Sequence, residues 1–255
     1  RGGDPPATVA WPPALALAAP QPKRGGVLKV IGLEPPTFDS HGTISYQTQL
    51  MSSFVRRTLF KYVNGAKYGP SDFTLVPDLA LKSDVSKDGR VYTIALRPGV
   101  RWEARGPVNG RELVAADVKY SFDRAIKKLP TANLLGRIEG IDTPDKYTVR
   151  VTLADAYAPF LHNLAEPWNC VMPPEVEDKM GDFKAAESLI GCGPFVLERY
   201  EPGVKAVFAR NSGYYAKGLP YLDKVEWLFV KDRSTQLSLF RAGPGDLPFY
   251  VERLP

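Results

Sequence analysis

Cysteine and histidine are scarce in this 255-residue chain, with two of each. Two cysteines are too few to frame a disulfide-built miniprotein, and Cys170 and Cys192 lack the paired spacing of a zinc site. Long apolar runs are missing as well. The best, Ala14–Ala19, is boxed between Pro13 and Pro20 and falls far short of the roughly 18 residues a membrane span needs. There is no Gly-x-Ser-x-Gly, no His-Glu-x-x-His and no phosphate-cradling glycine loop with a lysine, so no catalytic constellation emerges. Only His41 and His162 could act as imidazole bases. Massed positive charge is absent too: 33 Lys+Arg face 28 Asp+Glu for a net charge of +5, spread along the chain, which argues against nucleic acid.

What is present is ordinary globular material. Hydrophobic residues make up 44% and charged residues 24%, excluding collagen-like or wholly disordered chains. The length suits one large domain or two small ones with a buried core. The first 24 residues differ from the rest, being rich in Pro, Gly and Ala without periodicity, and read as an extended leader. Within them Leu15–Pro20 resembles the tail of a secretion signal, with a plain linker as the competing reading. The chain opens on Arg1 and its first methionine is Met51, so something upstream is expected to have been removed, or the sequence is a fragment. At the other end, an apolar run follows Gly243-Pro244-Gly245 and reads as a new element beginning.

Between these ends lie strand patterns and a smaller number of helical ones. Val27–Leu33 is a strand closed by Pro35-Pro36, and Tyr46–Leu59 carries Leu50, Phe54, Val55 and Leu59 at helical spacing. Asp88-Gly89 sets the turn of a hairpin whose second strand is Val91–Leu96, ended by Arg97-Pro98-Gly99, with Trp102 plugging into the core beyond. Ala115–Lys128 is the clearest helix, with Val118, Phe122, Ala125 and Leu129 on one face. Asp117 in its first turn and Lys127-Lys128 in its last match the macrodipole. Asp142–Tyr147 reads as a turn and Thr148–Leu153 as a strand. Phe195–Glu198, Ala206–Arg210 and Val225–Val230 read as further strands, and Ser234–Ala242 as an amphipathic helix. Strands outnumber helices without βαβ alternation, which predicts a mixed α/β chain with more than one sheet.

Several separated motifs carry a resemblance. They are Leu75-Val76-Pro77-Asp78-Leu79-Ala80, the hairpin with Arg97–Trp102, and Leu113–Phe122 with Asp117 and Val118. Gly191-Cys192-Gly193-Pro194-Phe195 and Arg210–Tyr215 followed by Leu219–Asp223 complete the set. In this order and spacing, from about Gly25 to about Leu247, the chain resembles the extracellular solute-binding proteins of family 5. These are the peptide, dipeptide, oligopeptide and nickel-binding components of ATP-driven importers. The resemblance implies a periplasmic-binding-protein-like fold of type II. One lobe would consist of residues 25–60 and 189–255, with an α+β subdomain inserted at 61–188 and residues 1–24 as leader. The second lobe, which usually holds groups for a peptide's termini, would be largely missing. Two departures stand out: Cys192 replaces the usual Thr between the glycines, and Val114 replaces a Thr cap, at a cost of roughly 1 kcal/mol.

By the same resemblance, Phe38, Asp39 and His41 would line the ligand cavity. The competing reading has Asp39 in an Asx-turn and His41 solvated. Trp168 and Asn169 offer a stacking face and a two-way hydrogen bonder for a peptide, against a tryptophan simply in the core. Gly193, counted with these ligand-binding candidates, lies where the chain passes between lobes and supplies a backbone that turns sharply. An exported chain meets oxidising conditions, so Cys170 and Cys192 either pair or pack as free thiols. A Cys192–His nucleophile is the enzymatic alternative, and one imidazole at His41 makes no nickel site. The expectation is a non-enzymatic, cofactor-free and metal-free binding component, monomeric and binding no nucleic acid. It would capture di- or oligopeptides outside the cytoplasmic membrane, with an anchor upstream of residue 1 conceivable, and deliver them to a membrane permease. Nickel-chelate or oligosaccharide binding is the alternative on the same scaffold.

Overall fold

The computed structural model describes residues 22–65, 67–69, 71–128 and 131–248. The leader with its signal-like Leu15–Pro20, as well as Leu129 and most of Pro248–Pro255, therefore lies outside the described residues. The strands are β1 (Val27–Gly32), β2 (Phe60–Tyr62), β3 (Leu75–Pro77), β4 (Ala80–Val85), β5 (Val91–Leu96), β6 (Ile138–Asp145), β7 (Thr148–Leu153), β8 (Phe195–Glu201), β9 (Lys205–Arg210), β10 (Lys224–Phe229) and β11 (Leu247–Pro248). The α-helices are α1 (Tyr46–Ser53), α2 (Ala115–Lys127), α3 (Phe160–Asn163), α4 (Pro174–Met180) and α5 (Arg233–Ala242).

Residue alternation builds a four-stranded antiparallel sheet ordered β4-β5-β7-β6. Tyr92, Ile94 and Leu96 point inward from β5, and Val149, Val151 and Leu153 from β7, with Ile94 opposite Val149. Helix α2 lays Val118, Phe122 and Ala125 into the same core, and Trp102 completes it. Each fully buried side chain of this kind contributes about 1.5–3 kcal/mol. A second sheet, ordered β11-β1-β10-β9-β8, has β1 parallel to β10 and β10-β9-β8 antiparallel. Its separate core gathers Val30, Met51, Val55, Phe208, Val225 and Trp227. With β2 and β3 pairing as a third, two-stranded sheet, and none showing a regular βαβ repeat, this is the mixed α/β arrangement expected.

Two elements depart from expectation. Residues 138–145 form strand β6, so the turn expected over Asp142–Tyr147 shrinks to Lys146-Tyr147. Pro144 is tolerated because β6 is an edge strand. Helix α1 stops at Ser53 rather than Leu59 because other segments take its carbonyls: Phe54 O accepts from Phe195 N at 3.0 Å and Val55 O from Gly193 N at 2.7 Å. Helix α2 starts without a side-chain cap at Val114, whose own amide donates to Asp117 Oδ2 at 2.9 Å. Asp117 is buried and clamped bidentately by Arg111 at 2.7 and 2.8 Å, so it ties two segments together as well as facing the dipole.

Candidate ligand-facing site

The loop between β1 and α1 joins two elements of the same core, packs against α2 and is fixed by buried charge. Asp39 accepts from the amides of His41 and Gly42, both at 3.2 Å, forming the Asx-turn, and its two oxygens receive Arg124 Nη1 and Nη2 at 2.8 Å each. Arg124 comes from the last turn of α2; its guanidinium also lies 4.6 Å above the Phe183 ring and reaches Glu177 at 3.3 Å. Burial pushes the Asp39 carboxyl up, but the Arg124 guanidinium outweighs it and holds the group below the usual carboxylate range. Arg56, 1% exposed, donates to Phe38 O, Ser40 Oγ and Ser188 O at 2.7, 2.9 and 3.1 Å.

His41 is fully buried rather than solvated. Its Nε2 lies 3.0 Å from the Cys170 carbonyl, which can only accept, so the proton sits on Nε2 and Nδ1 is left without a partner. Burial, reinforced by the Arg124 charge, lowers its pKa to about 3. Thr131 Oγ1 donates to His41 O at 2.6 Å, and Gln49 Nε2 of α1 donates to Ser40 O and Thr43 O at 2.9 and 2.8 Å. Every turn of the loop is thus tied down from inside.

This burial redistributes the residues singled out from the sequence. The Asp39 and His41 side chains are consumed by internal partners, and Asn169, also buried, donates to Asn163 O at 2.8 Å. Phe38 is 4% exposed and packs edge-on against Tyr200 at 5.2 Å, bordering a groove of ≈ 410 Å³ with Pro36, Lys184 and Glu187. Trp168 is half-buried. The chain bends at Cys192-Gly193-Pro194 as expected, but neither Gly193 nor Gly191 has positive φ. A Cβ on either would collide with the Val55 carbonyl, so both are glycine for close backbone approach. Cys170 and Cys192 are free and buried, which corrects the disulfide option. Cys170 sits beside the His41–Arg56 network while Cys192 is wedged in the Gly191–Gly193 seam, and burial raises both thiols so that they stay protonated. A thiol so held is no nucleophile.

What this bracing presents outward was not among the sequence candidates. Ile44 is 56% exposed and Tyr46 60% exposed, at the head of α1 directly beyond the locked turn. Ser45 donates to Gln47 Oε1 at 2.7 Å rather than capping the helix. A large apolar side chain and an aromatic thus stand open to solvent beside the hydrogen-bonded loop. The available signal was an apolar–polar–aromatic triplet, Ile44-Ser45-Tyr46, just where helical periodicity begins.

The model of the family described as "Bacterial extracellular solute-binding proteins, family 5 Middle" matches residues 74–251. The chain belongs to this family. Among its relatives, the glutathione-binding protein GsiB of Salmonella paratyphi A is 28% identical over 249 residues, covering 94% of this chain and 46% of the relative. Among solved structures, the binding protein AgaA from A. tumefaciens R10, in complex with agropinic acid, superposes with a TM-score of 0.78 at 28% identity, covering 89% of this chain and 44% of that one. The Helicobacter pylori binding protein DppA in complex with peptide STSA gives 0.76 at 27% identity, covering 89% and 47%. The chain therefore spans just under half the length of the relatives it matches. These relatives are solute-binding proteins rather than enzymes. In this family-5 chain no helix among the described residues is long and apolar enough to cross a membrane, and no described group of three or more His, Cys, Asp or Glu is placed to hold a metal.

Proposed function

We propose that this chain is part of the substrate-binding component of an ATP-driven importer, capturing di- or oligopeptides outside the cytoplasmic membrane for delivery to a membrane permease. Residues 25–60 and 189–255 form one lobe in this reading, and 61–188 the inserted subdomain. Ligand binding relies on two lobes closing about a hinge. The observation that carries the proposal is the locked loop that offers Ile44 and Tyr46 to solvent in a family-5 chain. The peptide complex of the H. pylori relative supports the ligand class. A small non-peptide acid is the second reading, favoured by the agropinic acid complex at similar identity.

Calorimetric titration with short peptides tests the placement of the site. Tyr46→Ala is expected to weaken binding about tenfold, as loss of an aromatic contact does, while leaving the unfolding midpoint in place. Unchanged affinity in Tyr46→Ala would remove this face from the site.

A further inference from the structure

A polar cavity lies at the C-terminal end of α1, the opposite end from Tyr46, with a volume of ≈ 220 Å³. Its walls include Ser53, Arg56, Arg57, Lys61, Tyr62 and Asn64. We propose that it is a site for a small oxyanion, a carboxylate or phosphate group.

The charge balance carries the argument. Arg56 makes no ion pair among the described residues; all three of its hydrogen bonds go to neutral oxygens. The carboxylates nearest in charge to it are occupied elsewhere, Asp39 by Arg124 and Glu103 by Arg105 at 2.7 Å. Arg57 and Lys61 share a single carboxylate, Asp78, with Arg57 in close contact and Lys61 at 3.8 Å. Asp78 also accepts from the hydroxyl of Tyr215, and Glu166, which does not line the cavity, accepts from the hydroxyl of Tyr62. Three cations thus face one directly paired carboxylate. The Nε atoms of Arg56 and Arg57 are buried without an acceptor.

A buried cation lacking a counter-ion is costly, and a cavity lined by one such cation, Arg56, beside two that share a single carboxylate draws an anion in. Guanidinium N–H groups suit carboxylate and phosphate oxygens. Lys61 lines the cavity with a side chain 39% exposed, held among the described residues only by its 3.8 Å contact to Asp78. The cavity far exceeds the roughly 10–15 Å³ that holds one water, so an oxyanion and its remaining hydration fit. This site is distinct from the peptide-facing loop, and its probes are simple ions, so either proposal can fail alone.

The test is calorimetric titration of inorganic phosphate and of succinate, in chloride at constant ionic strength, into the wild-type chain, Lys61→Gln and Lys82→Gln. Lys82 is an exposed strand lysine paired with Asp84 and serves as the control. Because Arg57→Gln breaks a buried pair and threatens folding, Lys61 is the residue to change. Saturable 1:1 binding that weakens about three- to tenfold in Lys61→Gln and is unchanged in Lys82→Gln supports the site. Tighter phosphate than succinate assigns it to phosphate groups, and the reverse to carboxylates. Heats that do not saturate, or equal affinity in all three proteins, overturn it.

Discussion

Replacing His41 with Gln isolates one buried imidazole as a pH-dependent load on the fold. In the native state His41 is neutral, with its pKa held at about 3 by burial and by Arg124. In the unfolded chain it titrates near 6.5. A depressed folded pKa means the stabilising contribution is complete above about pH 6.5 and lost as the pH falls towards 3, because the unfolded state takes up a proton that the native state refuses. Between pH 7 and pH 5 the proton uptake of the unfolded chain costs about 2 kcal/mol of stability, rising to about 3 kcal/mol by pH 4. The neighbouring Asp39, held below the usual carboxylate range, and both arginines keep their charge from pH 7 to pH 5. Gln at position 41 retains an N–H donor for the Cys170 carbonyl but does not titrate. Equilibrium urea unfolding at pH 7 and pH 5 is the assay. With a slope of roughly 2–3 kcal/mol/M, the wild-type midpoint should fall by about 0.7–1 M more than that of His41→Gln. Parallel falls in the two proteins would refute the buried neutral imidazole.

Two further substitutions probe the frame around the site. Gly191→Ala should destabilise the protein by about 3 kcal/mol or prevent folding, because the new Cβ collides with the Val55 carbonyl; thermal unfolding checks it, and a near-wild-type midpoint would contradict the close approach. Val114→Thr should stabilise by about 0.5–1 kcal/mol in urea unfolding, since the residue already has extended cap geometry, φ −131° and ψ 170°, and lacks only an acceptor.

Local pattern made the scaffold legible before any coordinates. The alternation of Val91–Leu96 appears as alternating half-buried and buried side chains along β5, and the spacing of Val118, Phe122 and Ala125 is the buried face of α2. Tertiary competition was not legible. Nothing in Phe54-Val55 says that their carbonyls are claimed by Phe195 and Gly193, some 140 positions later, so the periodicity of Tyr46–Leu59 overran the helix. The site suffered from the same blindness to partners. Asp39, His41 and Asn169 have the chemistry of ligand contacts, yet Arg124, the Cys170 carbonyl and Asn163 use them internally. Arg56 is not conspicuous because an arginine pair after an apolar run looks like surface charge until three oxygens surround one of them. Exposure, which distinguishes Ile44 and Tyr46, belongs to the folded chain and not to residue type.

The central claim is that this chain serves a binding protein for peptides. Native mass spectrometry of the protein as its gene encodes it, isolated from its own cells without denaturation, tests that directly. The account predicts adducts that dissociate as short peptides of varied sequence. A metal chelate, a sugar or a single non-peptide acid released in their place would contradict it.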